Sequence, residues 1–103
     1  MECNYNYKST NDAFEVQAFM LGQEKYPDWF RTAMYEDHTV RVVYNNPKSK
    51  KLSRQIMYAD LNTNEDFKQR AYPYDMIIKG LVPDKLTVLS YEVFKRLFIP
   101  RIP

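Results

Sequence analysis

The chain is poor in the residue types from which most small active sites are built. Its 103 residues include one cysteine, one histidine and two glycines. Cys3 alone cannot close an internal disulfide. With His38 far from it in sequence, the pair does not supply the several converging ligands that a metal centre needs. Two glycines leave no room for a Gly-rich phosphate loop, and neither a nucleophile elbow nor a metalloprotease helix is present. The carboxylates Asp60, Glu65, Asp66, Asp75 and Asp84 fall in expected polar loops or strand starts, with no spacing that marks an acid–base pair. An enzyme is therefore not expected, and neither a cofactor nor a metal is implied. No apolar run approaches the 18 residues of a membrane-spanning helix. The opening Met1-Glu2-Cys3-Asn4-Tyr5 lacks the basic head and apolar core of a secretory signal, so a cytoplasmic place of action is expected. The net charge of +2, from 15 basic and 13 acidic side chains, is too small to name an anionic partner.

Aromatic rings are what the chain has in quantity, with nine tyrosines, six phenylalanines and one tryptophan. Tyrosine buries a ring while keeping its hydroxyl at water, so this composition serves both a core and a contact face. The length suits a single domain over residues 1–103, with 1–12 read as a flexible lead.

Residues 13–20 alternate, with Phe14, Val16 and Ala18 on one side and Glu15 and Gln17 on the other, which predicts a half-buried strand stopped by Gly22. A short helix follows over 26–34. Pro27 suits its first position, Asp28 favours the positive end of its dipole, and Trp29, Phe30, Ala33 and Met34 share one face. Residues 39–44 and 52–59 read as two strands joined by an Asn-Pro turn with a charged tip. Between 60 and 71 the chain turns polar, and Asn64 is a candidate cap for a single turn carrying Phe67. Residues 76–79 and 86–89 are two more strands around a turn at 82–85. Ser90 should cap a last helix striped by Phe94, Leu97 and Phe98 and ended by Pro100. Hairpins dominate over crossovers in this order, so the fold class is α+β: a mainly antiparallel sheet of about five strands with two short flanking helices.

Four phrases along the chain carry a resemblance. They are Val16-Gln17-Ala18-Phe19, Pro27-Asp28-Trp29-Phe30, Pro73-Tyr74-Asp75-Met76-Ile77-Ile78-Lys79-Gly80 and Tyr91-Glu92-Val93-Phe94. In wording and order the chain resembles a family of small hypothetical proteins of bacteriophage and prophage genomes. These contain a Val-Glu-Ala-Phe-like phrase, a Pro-acidic-Trp-Phe helix, a strand hairpin, a Pro-Gly-Asp-Trp-Ile-Ile-Lys-Gly phrase and a closing helix with Phe. The chain departs from that pattern where Tyr74 replaces the turn glycine, where Gln17 replaces an acidic residue, and in the length of the 60–71 segment. The resemblance implies a phage or prophage origin and brings no catalytic residues with it.

Two stretches stand out as surfaces. The turn bearing Lys48, Lys50, Lys51 and Arg54, with Arg41 on the facing strand and Tyr44 and Tyr58 nearby, offers positive charge beside rings. Such a tip meets phosphates and bases, enters an acidic groove of a protein, or simply protects a sheet edge. Residues 62–74 form a second candidate, an interface or a lid, in which Tyr72 and Tyr74 flank Pro73. The favoured reading is a phage-encoded accessory protein that binds and inhibits a host protein, a bacterial immune effector that handles nucleic acid, anti-CRISPR inhibition included. The candidate contact residues are Tyr44, Lys48, Lys50, Lys51, Arg54, Tyr72 and Tyr74. The alternatives are a nucleic-acid-binding accessory protein using the 48–54 tip and a virion structural or assembly protein.

Overall fold

Alternation along 15–20 is realised as a strand with both faces used. In the computed structural model, which describes residues 6–44, 56–64 and 68–100, β2 (Glu15–Met20) pairs antiparallel with β1 (Tyr7–Ser9) and with β6 (Met76–Val82). Strand β6 turns through Pro83 and Asp84 into β7 (Lys85–Leu89), and β1 pairs on its other side with β8 (Phe98–Pro100). The result is a five-stranded antiparallel sheet in the order β7-β6-β2-β1-β8. A second, three-stranded antiparallel sheet joins β3 (Val40–Tyr44), β4 (Ile56–Leu61) and β5 (Gln69–Ala71) in chain order. With the helices α1 (Asp28–Tyr35) and α2 (Tyr91–Leu97), the α+β class holds.

The five-stranded sheet lies between two cores. Val16, Ala18, Met76 and Ile78 point to one side, where Phe94 and Phe98 bury against them. Phe94 stacks on Phe98 with ring centroids 5.0 Å apart and meets Tyr7 edge to face at 4.8 Å. Alternate residues Phe19 and Ile77 point to the other side, into a core shared with Phe30 and Ala33 of α1 and with Val40, Ala59, Leu61 and Ala71 of the second sheet. Phe19 is ringed there by Tyr26, Trp29 and Phe30 in edge-to-face contacts of 4.8 to 6.0 Å. Residues 76–78 are thus buried on both faces, which is why they read as a continuous apolar run.

Both helix readings hold in their main lines. Phe30 and Ala33 are the buried residues of α1, with Trp29 and Met34 packed beside them. Pro27 sits one residue earlier than expected, at the N-cap, where its carbonyl accepts from the amides of Phe30 and Arg31. The Ser90 hydroxyl accepts from the Val93 amide at 3.3 Å and caps α2.

Several expectations are corrected. Phe14 is half exposed, because it precedes β2 in the tight turn from β1, where its amide bonds the Ser9 hydroxyl. Tyr7–Ser9, inside the stretch read as a flexible lead, forms the strand between β2 and β8. The last helix stops at Leu97. Phe98 is already extended, and Phe98–Pro100 pairs with β1 instead of continuing the helical stripe, which leaves Leu97 half exposed. Asp60 belongs to β4, which runs to Leu61, and the supposedly irregular polar segment contains β5 with Ala71 fully buried. The expected turn at Asn64 and Phe67 lies partly outside the described residues.

Two asparagines act as substitute strand partners. Asn6 reaches across to Ala18, its side-chain amide donating to the Ala18 carbonyl at 2.9 Å and its side-chain oxygen accepting from the Ala18 amide at 3.0 Å. Asn62 makes the same pair of bonds with Leu86, at 2.9 and 3.2 Å. Gln69 accepts from the Val88 amide at 3.0 Å. Side chains of the second sheet therefore occupy outward backbone groups of β7, blunting an edge that otherwise invites pairing.

Candidate partner-binding surface

Among the described residues, Tyr72 and Tyr74 are the candidates with the greatest exposure, at 52% and 61%. The turn that carries them is tied down at several points. The Asp75 carboxylate accepts from the Tyr72 amide at 2.9 Å, and the Asp75 amide donates to the Tyr72 carbonyl at 3.0 Å. The Tyr74 amide donates to the Leu21 carbonyl, and the Leu21 amide to the Asp75 carbonyl, both at 2.9 Å. Pro73 lies against Gly22, where an added Cβ would stand 3.4 Å from the proline ring and where φ is +82°. That contact is of ordinary van der Waals length, so it is the positive φ that favours glycine where this turn meets the end of β2. Tyr74 itself has φ +77°, in the left-handed region that favours glycine. The rings are held out by a stiff, locally strained turn.

Beside the turn, the outer face of the three-stranded sheet is open. Register places Arg41 opposite Asp60 and Asp60 opposite Arg70, in one row across β3, β4 and β5. Asp60 commits to Arg70, accepting from Nε at 2.8 Å. The Arg70 guanidinium also lies over the Tyr58 ring, 3.9 Å from its centroid. The hydrogen bond that Arg70 donates to Asp60 raises the guanidinium pKa further above its ordinary value, and the nearby Tyr58 and Tyr72 hydroxyls add to the effect. Arg70 is therefore fixed in place before any partner arrives. Arg41 is exposed and makes no ion pair among the described residues.

The remaining candidates separate. Lys48, Lys50, Lys51 and Arg54 lie outside the described residues. Tyr44 does not join Tyr58 and Tyr72, because it turns toward the core side and hydrogen-bonds Tyr26. Burial, then that bond, pushes the Tyr26 hydroxyl well above the usual range. Arg70 and Asp60 were missed as surface residues. The three-residue strand that carries Arg70 is too short to show a period, and only its pairing with β4 reveals the shared face.

Elsewhere, an open groove of about 540 Å³ runs beside Trp29, lined by Asp37, Lys79, Asp84 and Lys85, with the Asn62 side chain already spent on Leu86. His38 is exposed at the end of α1 with φ +55°, its carbonyl accepting from the Thr63 hydroxyl at 2.9 Å. Among the described residues no three His, Cys, Asp or Glu side chains gather as a metal set, and no helix is long and apolar enough to cross a membrane. No family model matches the chain, and neither the curated proteins nor the solved structures give a significant match to it.

Proposed function

We propose that this chain is a binding protein that acts by occlusion: a phage-encoded inhibitor that covers a working surface of a host protein, a bacterial immune effector, in the host cytoplasm. One observation carries the binding role. Two tyrosines are displayed to solvent from a turn fastened by four hydrogen bonds, one of them in a backbone conformation costly for any residue with a Cβ. Backbone strain of this kind persists where the surrounding structure enforces it, and it concentrates at functional sites. Rigid, exposed tyrosines are the side chains that most often anchor protein interfaces, because they contribute large contact area while losing little conformational freedom. The phage and anti-defence part of the reading comes from the phrases of the sequence, and occlusion suits a small domain for which no catalytic machinery is expected.

The test is phage plating on cells that carry defined defence systems, with and without this protein. The native chain is expected to restore plating against one system, and the Tyr72→Ala/Tyr74→Gly double variant to lose that effect while remaining folded. Absence of rescue across the systems, together with no stoichiometric partner from host lysate, rules the proposal out.

A further inference from the structure

The row Arg41–Asp60–Arg70 holds two cations and one anion. Asp60 is engaged by Arg70 through Nε at 2.8 Å and more loosely through Nη2 at 3.5 Å, so the far side of the guanidinium fork is directed away from it. Arg41, on the opposite flank of Asp60, has no acidic partner among the described residues. The row is thus one carboxylate short of neutrality. Val43, Tyr58 and the exposed Tyr72 stand around it, with Met57 exposed on the same strand, while His38, Thr63 and Lys68 line a shallow pocket together with Arg41 and Asp60. Tyrosine, methionine and arginine are the residues enriched in the centres of protein interfaces, where lysine is depleted. Lysines are instead concentrated in residues 45–55, the chain segment between Tyr44 and Ile56. That segment has four basic side chains and no acidic one, so within a total of +2 the rest of the chain sums to −2.

From this we infer that the outer face of β3, β4 and β5 docks on an acidic surface of a protein, with a glutamate or aspartate of the partner completing the Arg41–Asp60–Arg70 row. The inference rests on the occlusion reading and adds the chemistry of the surface that is met. Arg70 suits the role because the Tyr58 ring supports its guanidinium from one face, so little rotamer freedom remains to be lost on binding, while Asp60 occupies part of the fork as an internal competitor. A single-stranded nucleic acid fits less well. The guanidinium covers one face of Tyr58, which removes it as a stacking platform on that side.

The test uses the full chain, isotopically labelled, titrated in low salt with a poly-glutamate peptide and separately with an oligothymidine of matched charge. The readouts are the arginine side-chain resonances of Arg41 and Arg70 and the ring resonances of Tyr58 and Tyr72. The peptide is expected to shift these signals, and Arg41→Gln, which breaks no ion pair or side-chain hydrogen bond among the described residues, to weaken its binding by about tenfold. Asp60→Asn provides the sharper sign: removing the internal competitor frees Arg70, so peptide binding should tighten by about threefold or more, whereas a purely structural Asp60 predicts no gain. Tighter binding of the oligothymidine at the same resonances overturns the inference in favour of nucleic acid. It also fails if the peptide shifts only signals away from the row, or if Asp60→Asn leaves its affinity unchanged. Should plating rescue depend on Tyr72 and Tyr74 while the peptide arm fails, the occlusion reading survives and only the acidic chemistry is lost.

Discussion

The two sheets of this molecule are built from similar residues and put to different use. The five-stranded sheet is covered on both sides, by Phe94 and Phe98 on one face and by α1 and the second sheet on the other. The three-stranded sheet buries only its inner residues, Val40, Ala59, Leu61 and Ala71, and leaves Arg41, Asp60, Arg70 and the neighbouring Tyr72 toward solvent. A β-face that contributes to the core is constrained by volume and shape, whereas one facing water is free to carry charge and rings. Stability and recognition are thus separated by a single strand's alternation: Ala59 and Leu61 face in, Tyr58 and Asp60 face out.

Core truncation gives the largest way to break this division. Phe30, fully buried between Phe19 and Tyr26, should cost about 3–5 kcal/mol when replaced by alanine, since the cavity adds to the lost transfer energy. Tyr58→Ser on the outer face should change denaturant stability by less than about 1 kcal/mol. Comparable losses at the two positions would mean that the outer face is also structural. Next in size is the seam between the sheets. Asn62→Ala removes both bonds to Leu86 and leaves the amide and carbonyl of this half-buried edge-strand residue without their partner, for an expected loss of about 1–3 kcal/mol. Hydrogen exchange should accelerate at Leu86 in particular, because its amide donates to Asn62.

Much of this fold was legible because periodicity and capping are local. The burial of Phe30 and Ala33, the Ser90 cap and the hairpin around Pro83 and Asp84 follow from residues within a few positions of one another. What escaped depended on distant partners. Strands β1, β5 and β8 are three residues each, too short for a pattern, and exist because longer neighbours offer a register. The division into two sheets was likewise hidden, since the hairpin of β3 and β4 looks the same whether or not it joins the central sheet. At the candidate surface, Tyr72 and Tyr74 announced themselves by flanking a proline in a polar stretch. The Arg41–Asp60–Arg70 row appeared only once three strands were paired.

The pH response of stability offers a smaller effect that reads the inner tyrosines. Tyr26, and to a lesser degree Tyr7, hold their protons above the ordinary value of 10.0, in both cases chiefly through burial. In the unfolded chain these hydroxyls ionise near that value while the folded chain still keeps them protonated. The stabilisation they contribute is accordingly complete below about pH 10 and declines as pH rises above it. Denaturant melts taken in that alkaline range should therefore show falling stability, with a shallower decline in Tyr26→Phe.

The smallest expected change in stability is also the most telling about Tyr74. Its φ of +77° costs a residue with a Cβ about 1–2 kcal/mol relative to glycine, a strain that Tyr74→Gly relieves. Glycine returns part of this gain because it widens the unfolded ensemble by about 0.4–1 kcal/mol. The half-exposed ring has little packing to lose, so the net effect should lie between zero and about 1 kcal/mol of added stability, read as an unchanged or slightly raised melting temperature. If partner binding falls in the same variant, the tyrosine is retained for contact against the preference of its own backbone. A lowered melting temperature would instead make the ring a packing element, and the turn would then belong with the covered sheet rather than with the open one.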